Sequence, residues 1–258
     1  MPKGLPQSAG IFAVLTGDII ASTELSAAQL EKARALLSEC ARRIRSRQPG
    51  AIYGRSEFFR GDAWQLLLAE PRWALRSALL IRAMFRAELD IDTRVAIGIG
   101  GVDTLTKSRV SLSTGEAFTL SGRALDRITG HFQLTGALPD DAGDLAEWFP
   151  VVLHLCSGLM RSWTRRQAEI AARALLLRDA THESIAASLT PPVSKQTVTD
   201  SLAGANWRTL LEPVRLFEAA DWSRLAPSRT SHGTKTGKSG SPASGRSKRL
   251  PAGRAGRA

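Results

Sequence analysis

The order of apolar segments in the N-terminal half of the chain is the feature that most limits how it can fold. Four short apolar runs have the composition of strands, and two longer segments repeat apolar residues at helical spacing. The predicted strands span residues 11–17, 51–59, 63–69 and 93–102, and the predicted helices span residues 25–47 and 71–88. This β-α-β-β-α-β order predicts a ferredoxin-like sheet and, with the helices that follow it, an α+β fold class.

Two aspartates fall at the same end of the predicted sheet. In this arrangement the first and third strands are antiparallel neighbours. Asp18, at the end of the first strand, is therefore expected beside Asp62, at the start of the third. Carboxylate oxygens are the ligands that Mg²⁺ and Mn²⁺ prefer. The pair is a candidate metal site, and the alternative is that each aspartate only caps a helix or forms a turn.

The C-terminal half of the chain has helical patterns. Residues 139–163 read as an acidic connector followed by a connecting helix, and a capping box at Thr164 and Gln167 begins the next helix. Two more helices are predicted at residues 181–189 and 195–203. The residues of the last one that are candidates for contact with bases or phosphates in a major groove are Ser194, Lys195, Gln196, Thr199 and Asp200. The alternative is a three-helix bundle that serves dimerisation.

The net charge of +11 is concentrated at the C-terminal end. Residues 226–258 contain eight Lys or Arg and no acidic residue, so the rest of the chain carries only +3. Few large apolar side chains occur there, and a disordered basic tail is predicted for residues 223–258. Such a tail attracts phosphates in a salt-dependent way, which favours DNA as a partner, and a purely solubilising role is the alternative.

Cysteine content and hydropathy indicate the cellular compartment in which the protein is expected. The two cysteines, Cys40 and Cys156, lie within helical apolar patterns, which predicts buried free thiols in a reducing environment. No apolar run approaches the ~20 residues that a membrane-spanning helix requires. A cytoplasmic protein without a membrane partner is therefore expected.

Four short segments resemble motifs of the class III adenylyl and guanylyl cyclases. They are TGDIIAST at residues 16–23, RGDAW at 60–64, RVAIGIGG at 94–101 and GEAFTLSGR at 115–123. The resemblance covers about residues 10–135 and implies that Asp18 and Asp62 bind Mg²⁺ or Mn²⁺. It also places Arg123 at the position of a phosphate-stabilising arginine and Thr119 at that of a ribose-orienting asparagine.

The resemblance is incomplete where cyclases recognise the base. Phe58 stands where they place a purine-selecting lysine, and Leu112 stands where the second base-reading residue is expected. The resemblance therefore implies a degenerate domain that binds a nucleotide and a metal, and an active nucleotidyl cyclase, with Arg123 as its catalytic residue, is the alternative.

A second resemblance, to the SatD family of bacterial proteins, extends along more of the chain. It rests on the segments GDI at residues 17–19, GDAWQ at 61–65, IGIG at 97–100 and GRALD at 122–126. The helices after residue 164 resemble bacterial helix-turn-helix domains, which implies DNA binding and a homodimer; cyclase domains also pair. The expected organisation is a cyclase-like domain at 1–138, a connecting helix at 139–163, a helix-turn-helix domain at 164–222 and the tail at 223–258. The expected function is DNA-binding transcriptional regulation.

Overall fold

A five-stranded sheet forms the centre of the N-terminal half in the computed structural model, which describes residues 10–59 and 61–225. The strands are β1 (Ile11–Ile19), β2 (Ile52–Phe59), β3 (Ala63–Leu68), β4 (Thr93–Gly101) and β5 (Leu134–Ala137). Their order is β2-β3-β1-β4-β5, with β5 parallel to β4 and the other neighbours antiparallel. The four predicted strands are confirmed to within two residues at each end, as is the antiparallel pairing of β1 with β3.

Eight α-helices accompany these strands in the described residues. They are α1 (Ala27–Arg47), α2 (Ala74–Met84), α3 (Glu116–Asp126), α4 (Asp144–Arg161), α5 (Arg165–Leu176), α6 (His182–Ser188), α7 (Lys195–Gly204) and α8 (Trp207–Ala219). The single helix predicted at 71–88 is divided into a 3₁₀ turn at Pro71–Trp73, α2, and a π-helical turn at Phe85–Leu89. The capping box at Thr164 is confirmed, since its side chain accepts from the Gln167 N–H and Gln167 returns the bond.

Helices cover both faces of the sheet. Alternate strand residues such as Leu15 and Ile97 belong to the core that α1 and α2 share, while Val14 belongs to the cluster beneath α3. Gly98 allows α3 to approach closely, because a Cβ at that position would lie 2.3 Å from the Ala117 carbonyl oxygen. The sheet is therefore packed on both sides.

Helix α5 connects two hydrophobic cores. Its residues Ala168, Ala171 and Leu175 join the main core of the sheet, whereas Ile170 and Ala174 join a smaller core formed with α6 and α7. The described residues all belong to one compact unit. The boundary predicted at residue 164 therefore falls within a continuous hydrophobic core.

A buried ion pair also joins the two halves. Arg76 on α2 donates from Nε to Glu218 on α8, and its Nη1 donates to the Leu175 carbonyl oxygen at 3.0 Å. The side chains of Arg76 and Glu218 are only 10% and 5% exposed. This ion pair therefore lies within the packed interior, where charges must be paired.

The ordered chain extends beyond the predicted start of the tail. A short 3₁₀ helix at Trp222–Leu225 buries Trp222 against Phe217, with ring centroids 4.5 Å apart, and also buries Leu225. The prediction of disorder from residue 223 is therefore wrong for residues 223–225, and the rest of that prediction lies outside the described residues. The two cysteines are free and buried, as predicted. Within the described ranges, no helix is both long and apolar enough to cross a membrane.

Candidate functional site

The two predicted aspartates converge at one end of the sheet. Asp18 is opposite Ala63 on β3 and opposite Arg94 on β4, so it lies between two strands and next to the residue that follows Asp62. Both Asp18 and Asp62 are close enough to Arg94 to raise its pKa. The geometric part of the prediction is thereby confirmed, and the role of the two carboxylates as metal ligands stays a prediction.

Arg94 binds the Asp18 carboxylate with two parallel hydrogen bonds. Its Nε donates to Oδ1 at 2.7 Å, and its Nη2 donates to Oδ2. The Asp18 side chain is 16% exposed and that of Arg94 is 40% exposed. The hydrogen bonds from Arg94 to Asp18 are the main reason why the pKa of Arg94 lies above its ordinary value. This paired, fork-like geometry fixes the plane of the guanidinium group.

A cleft of about 350 Å³ opens beside this ion pair. Its polar side chains are Ser22, Thr23, Asp62, Arg94 and Gln133, and the remaining wall comes from residues 19–21, Ile128, Gly130 and Phe132. Ser22 donates its hydroxyl hydrogen to Asp62 Oδ2. The loop reaches this position through Ala21, which has a left-handed backbone with φ of 53°. The cleft thus presents one cation, one anion and several neutral donors.

The residues present do not fit a resident divalent cation. Both oxygens of Asp18 already accept hydrogen bonds from Arg94, whose positive charge would repel a cation beside this carboxylate. In the described part of the chain, no three His, Cys, Asp or Glu side chains are grouped closely enough to hold a metal ion. The predicted Mg²⁺ or Mn²⁺ site would require Arg94 to leave Asp18.

The predicted nucleotide-binding residues of α3 lie apart from the cleft. Thr119 and Arg123 are exposed one turn apart on α3, and neither lines the cleft. The Thr119 hydroxyl donates to the Gly115 carbonyl oxygen at 3.3 Å, and Arg123 forms no ion pair with a described residue. Within one protomer, the four residues predicted for nucleotide and metal binding do not form a single site.

The positions associated with base recognition have ordinary surroundings. Phe58 packs against the main core, and the Arg34 guanidinium lies 5.8 Å from its ring centroid. Leu112 is more than half exposed. Neither side chain offers the hydrogen-bonding groups that a base edge requires.

Sequence reasoning did not assign roles to Arg94 and Gln133. Arg94 lies in the segment quoted for the cyclase resemblance, but its importance follows from the register that places it opposite Asp18. Strand alternation indicates which face a residue is on, but it does not indicate which residue of another strand stands opposite it. No sequence signal marks Gln133, which precedes the short strand β5.

The residues predicted to contact DNA lie together at the N-terminal end of α7. Ser194 caps α7 by accepting from the Thr197 N–H at 3.0 Å, as predicted. Lys195 forms an ion pair with Glu183 at 2.5 Å, and its side chain remains more than half exposed. The hydrogen bond from Lys195, followed by a backbone hydrogen bond, lowers the pKa of Glu183.

The other predicted DNA-contacting residues have partners within the same surface. Gln196 donates to Asp200 Oδ1 at 2.7 Å, and Thr199 shares a hydrogen bond of 2.8 Å with His182 Nδ1. Residues 164–222 contain seven Lys or Arg and seven Asp or Glu, so this part of the chain has no net charge. The connection between α6 and α7 takes six residues, longer than the usual turn of a helix-turn-helix.

Comparison with known proteins gives weak similarity. No protein-family model and no curated protein matches the chain. Among solved structures, the guanylyl cyclase Cya2 is similar at 17% identity and a TM-score of 0.37, over 49% of this chain and 74% of the other. The catalytic core of a rhodopsin-guanylyl cyclase with converted specificity, in complex with ATPαS, is similar at 16% identity and a TM-score of 0.38, over 50% and 77%. Similarity of this size does not establish a shared function.

Proposed function

We propose that the cleft beside Asp18 binds the phosphate groups of a nucleotide, and that the chain is a non-catalytic nucleotide-binding protein. The observation that carries this proposal is the paired hydrogen bonding of Arg94 to Asp18 at the wall of the cleft. Arginine held in a fixed plane is well suited to phosphate recognition. Its Nη1 forms no hydrogen bond with the described part of the chain, so donors remain for a ligand.

In this proposal Asp18 positions Arg94 and does not ligate a metal. The remaining polar groups of the cleft match other parts of a nucleotide. Ser22, Thr23 and Gln133 can donate to phosphate oxygens, while the Asp62 carboxylate can accept from a ribose hydroxyl or a base amino group. A volume of about 350 Å³ lies within the range of small-molecule pockets. The segments that resemble class III cyclases favour a nucleotide over other phosphorylated ligands.

Two features support binding without turnover. The residues at the cleft do not fit a resident divalent cation, which phosphoryl-transfer sites commonly use to neutralise developing charge. Arg123, which would be the catalytic residue of a cyclase, lies on the exposed surface of α3. A degenerate cyclase-like domain accounts for both features.

The proposal is tested by calorimetric titration of the full chain with each of the four ribonucleoside triphosphates, with EDTA and, separately, with Mn²⁺. We expect binding in EDTA that Arg94→Gln weakens at least tenfold. Arg42→Gln, which removes a 71% exposed arginine from α1, is the matched control and should leave the affinity unchanged. An absence of binding to any triphosphate in both conditions contradicts the proposal. Formation of a cyclic product with Mn²⁺, abolished by Asp18→Ala, would establish the active cyclase instead.

Sequence-dependent DNA binding by α7 is a second candidate function. The observation that favours it is the exposure of Lys195 and Gln196 in the first turn of α7, where recognition helices contact base edges. The neutral charge of residues 164–222 means that α7 would depend on direct base contacts more than on phosphate attraction. In this second candidate function, the chain is a helix-turn-helix regulator that acts as a homodimer.

Electrophoretic mobility shifts at low salt distinguish the contribution of α7 from that of residues 226–258. A variant that ends at residue 225 removes the eight basic residues, and we expect it to retain sequence preference while losing general affinity. Gln196→Ala should then reduce the preference for one sequence over others. Binding that disappears entirely with residues 226–258 argues against α7 as a DNA-reading helix.

A further inference from the structure

Phe132 is the aromatic residue in the wall of the cleft beside Asp18. Its ring stacks on the His154 imidazole, with ring centroids 4.2 Å apart and an angle of 13° between the two planes. Phe132 nevertheless remains 42% exposed. Because a parallel stack covers one face of a ring, the exposed part of Phe132 consists of its edge and its other face. The cleft therefore has an uncovered aromatic surface in its wall.

The Phe132 ring is supported from behind. The His154 imidazole that covers its inner face shares a hydrogen bond of 3.1 Å between Nε2 and Thr135 Oγ1 on β5. His154 lies on α4 between Leu153 and Cys156, which are both buried in the main core. The stack is therefore anchored to α4 and β5, and the ring can receive a ligand without first being ordered.

Phe132 and Arg94 lie at the same end of the sheet. Arg94 is the second residue of β4, and Phe132 lies two residues before β5, which runs parallel to β4. The Val95 N–H donates to the Gln133 carbonyl oxygen at 2.8 Å, so the residues that precede these two are side by side. Neighbouring strands are about 4.8 Å apart. One small molecule in the cleft can therefore contact the guanidinium group and the aromatic ring together.

The cleft has an apolar part and a polar part. Ile128 and Gly130 precede Phe132 in the same loop, line the cleft with it and carry no polar side-chain group. Ser22 and Asp62 come from two other loops and are hydrogen-bonded to each other. A nucleotide has the same division, because it joins a flat base to anionic phosphates.

We propose that, within the nucleotide-binding function proposed for this cleft and resting on it, the base stacks on the free face of Phe132 while Arg94 holds the phosphates. Phe58 and Leu112 offer no hydrogen bonds to a base edge, and stacking on an aromatic ring requires none. Every base has a flat π face, so stacking tolerates different bases. The two rings of a purine cover more of the Phe132 ring than a pyrimidine does, which favours purine nucleotides.

Calorimetric titration of the full chain in EDTA compares ATP, GTP, CTP and UTP with inorganic tripolyphosphate, which has no base. Phe132→Leu keeps an apolar side chain but removes the flat ring, and we expect it to weaken binding of ATP and GTP about tenfold. Its affinity for tripolyphosphate should be unchanged. Phe132→Tyr keeps the ring and should retain the affinity for ATP and GTP. Arg94→Gln should weaken the binding of both kinds of ligand.

Trp148→Ala is the matched control. It removes another exposed aromatic ring, on α4, that does not line the cleft, and it should change neither affinity. Base stacking on Phe132 is overturned if Phe132→Leu leaves ATP and GTP binding unchanged or weakens tripolyphosphate binding equally, and phosphate binding at Arg94 then still stands. Tighter binding of CTP and UTP than of ATP and GTP overturns the purine preference. If neither the nucleotides nor tripolyphosphate bind, the function proposed for the cleft is overturned as well.

Nuclear Overhauser effects observe the stack directly. At saturating ATP, we expect contacts between the protons of the adenine base and the ring protons of one phenylalanine. These contacts should be absent in Phe132→Leu at saturating ATP, which assigns them to Phe132. Bound ATP whose base protons show no contact with the Phe132 ring overturns the proposal.

Discussion

Arg94 on β4 lies directly opposite Asp18 on β1 and donates hydrogen bonds to both of its carboxylate oxygens. This pairing changes the role that we assign to Asp18. A carboxylate predicted to hold a divalent cation instead fixes an arginine at the wall of a cleft that also contains Asp62. The same residues that suggested metal chemistry thereby favour recognition of an anion.

The coupling between Arg94 and Asp18 can be measured by a double-mutant cycle. The pair is partly exposed, so we expect a coupling free energy of about 1 kcal/mol from Arg94→Gln, Asp18→Asn and the double variant. The free energies of unfolding are obtained from urea denaturation, and the coupling should decrease with added salt. Purely additive effects would show that the two residues are not coupled in solution.

Two glycines with different surroundings test the packing of α3. A Cβ at Gly98 would lie 2.3 Å from the Ala117 carbonyl oxygen and 2.5 Å from the Ser121 amide nitrogen. Because α3 must shift to accommodate it, Gly98→Ala should destabilise the protein by about 1–3 kcal/mol.

Gly122→Ala is the matched control for this change. Gly122 lies within α3, and no atom within 4 Å obstructs a Cβ there. Alanine favours the helical backbone more than glycine, so this variant should gain about 0.5–1 kcal/mol. Thermal denaturation should show a lower melting temperature for Gly98→Ala and a higher one for Gly122→Ala. Equal effects of the two substitutions would contradict the close approach of α3 to β4.

The sequence is sufficient to predict the strands whose apolar residues are continuous, but not the contacts that depend on register. The runs at β1 and β4 indicated buried strands, and the β-α-β-β-α-β order brought Asp18 and Asp62 together. Strand β5 has only four residues, too few for a periodic pattern. The pairing of Arg94 with Asp18 was missed because it depends on which residues of two distant strands stand opposite each other.

The neighbours of helix α5 were also beyond the sequence pattern. Helix α5 repeats small residues on more than one side, and alanines do not reveal which neighbour each side contacts. Only packing shows that Ala171 belongs to one core and Ile170 to another. An amphipathic pattern indicates that a helix is buried, without identifying the partner.

The shared core predicts that the helices after residue 164 do not fold alone. A fragment of residues 164–225 would expose Ala168, Ala171 and Leu175, and it would leave Glu218 without Arg76. We expect circular dichroism of this fragment to show little helix and no cooperative melting. The full chain should unfold in one calorimetric transition, and two separate transitions would contradict the shared core.

The buried ion pair between Arg76 and Glu218 provides a second test of the contact between α2 and the helices after residue 164. Arg76→Ala removes the buried partner of Glu218, whose side chain is only 5% exposed, and leaves it only the half-exposed Arg178 at 3.5 Å. Because a buried charge that loses its main partner is destabilising, we expect a loss of about 3 kcal/mol. The double variant Arg76→Met/Glu218→Leu should recover much of this loss, because it removes both charges. A double variant as unstable as Arg76→Ala would show that packing, and not the unpaired charge, causes the loss.

The cysteine thiols should be unreactive in the native protein. Burial raises the pKa of Cys156 to about 12 and raises that of Cys40 as well, so almost no thiolate is present at neutral pH. We expect both thiols to react with a disulfide reagent only after unfolding. Rapid labelling of either thiol under native conditions would contradict its burial.

His154 makes stability depend on pH. Its imidazole stacks on Phe132 with ring centroids 4.2 Å apart, and partial burial lowers its pKa from the ordinary value of 6.5. The folded state therefore favours the neutral imidazole, and the unfolded state binds a proton first as the pH falls. The contribution to stability is complete above pH 6.5 and is lost as the pH falls through the lower pKa of the folded state.

Proton NMR of the His154 ring measures this shift directly. We expect a titration midpoint below 6.5 in the wild type, and Phe132→Ala should move it upward because the ring becomes more hydrated. Thr135→Val removes the hydroxyl that lies 3.1 Å from His154 Nε2 and distinguishes hydrogen bonding from burial. Because burial is the cause of the shift, Thr135→Val should change the midpoint less than Phe132→Ala does. A wild-type midpoint at or above 6.5 would contradict the partial burial of the imidazole.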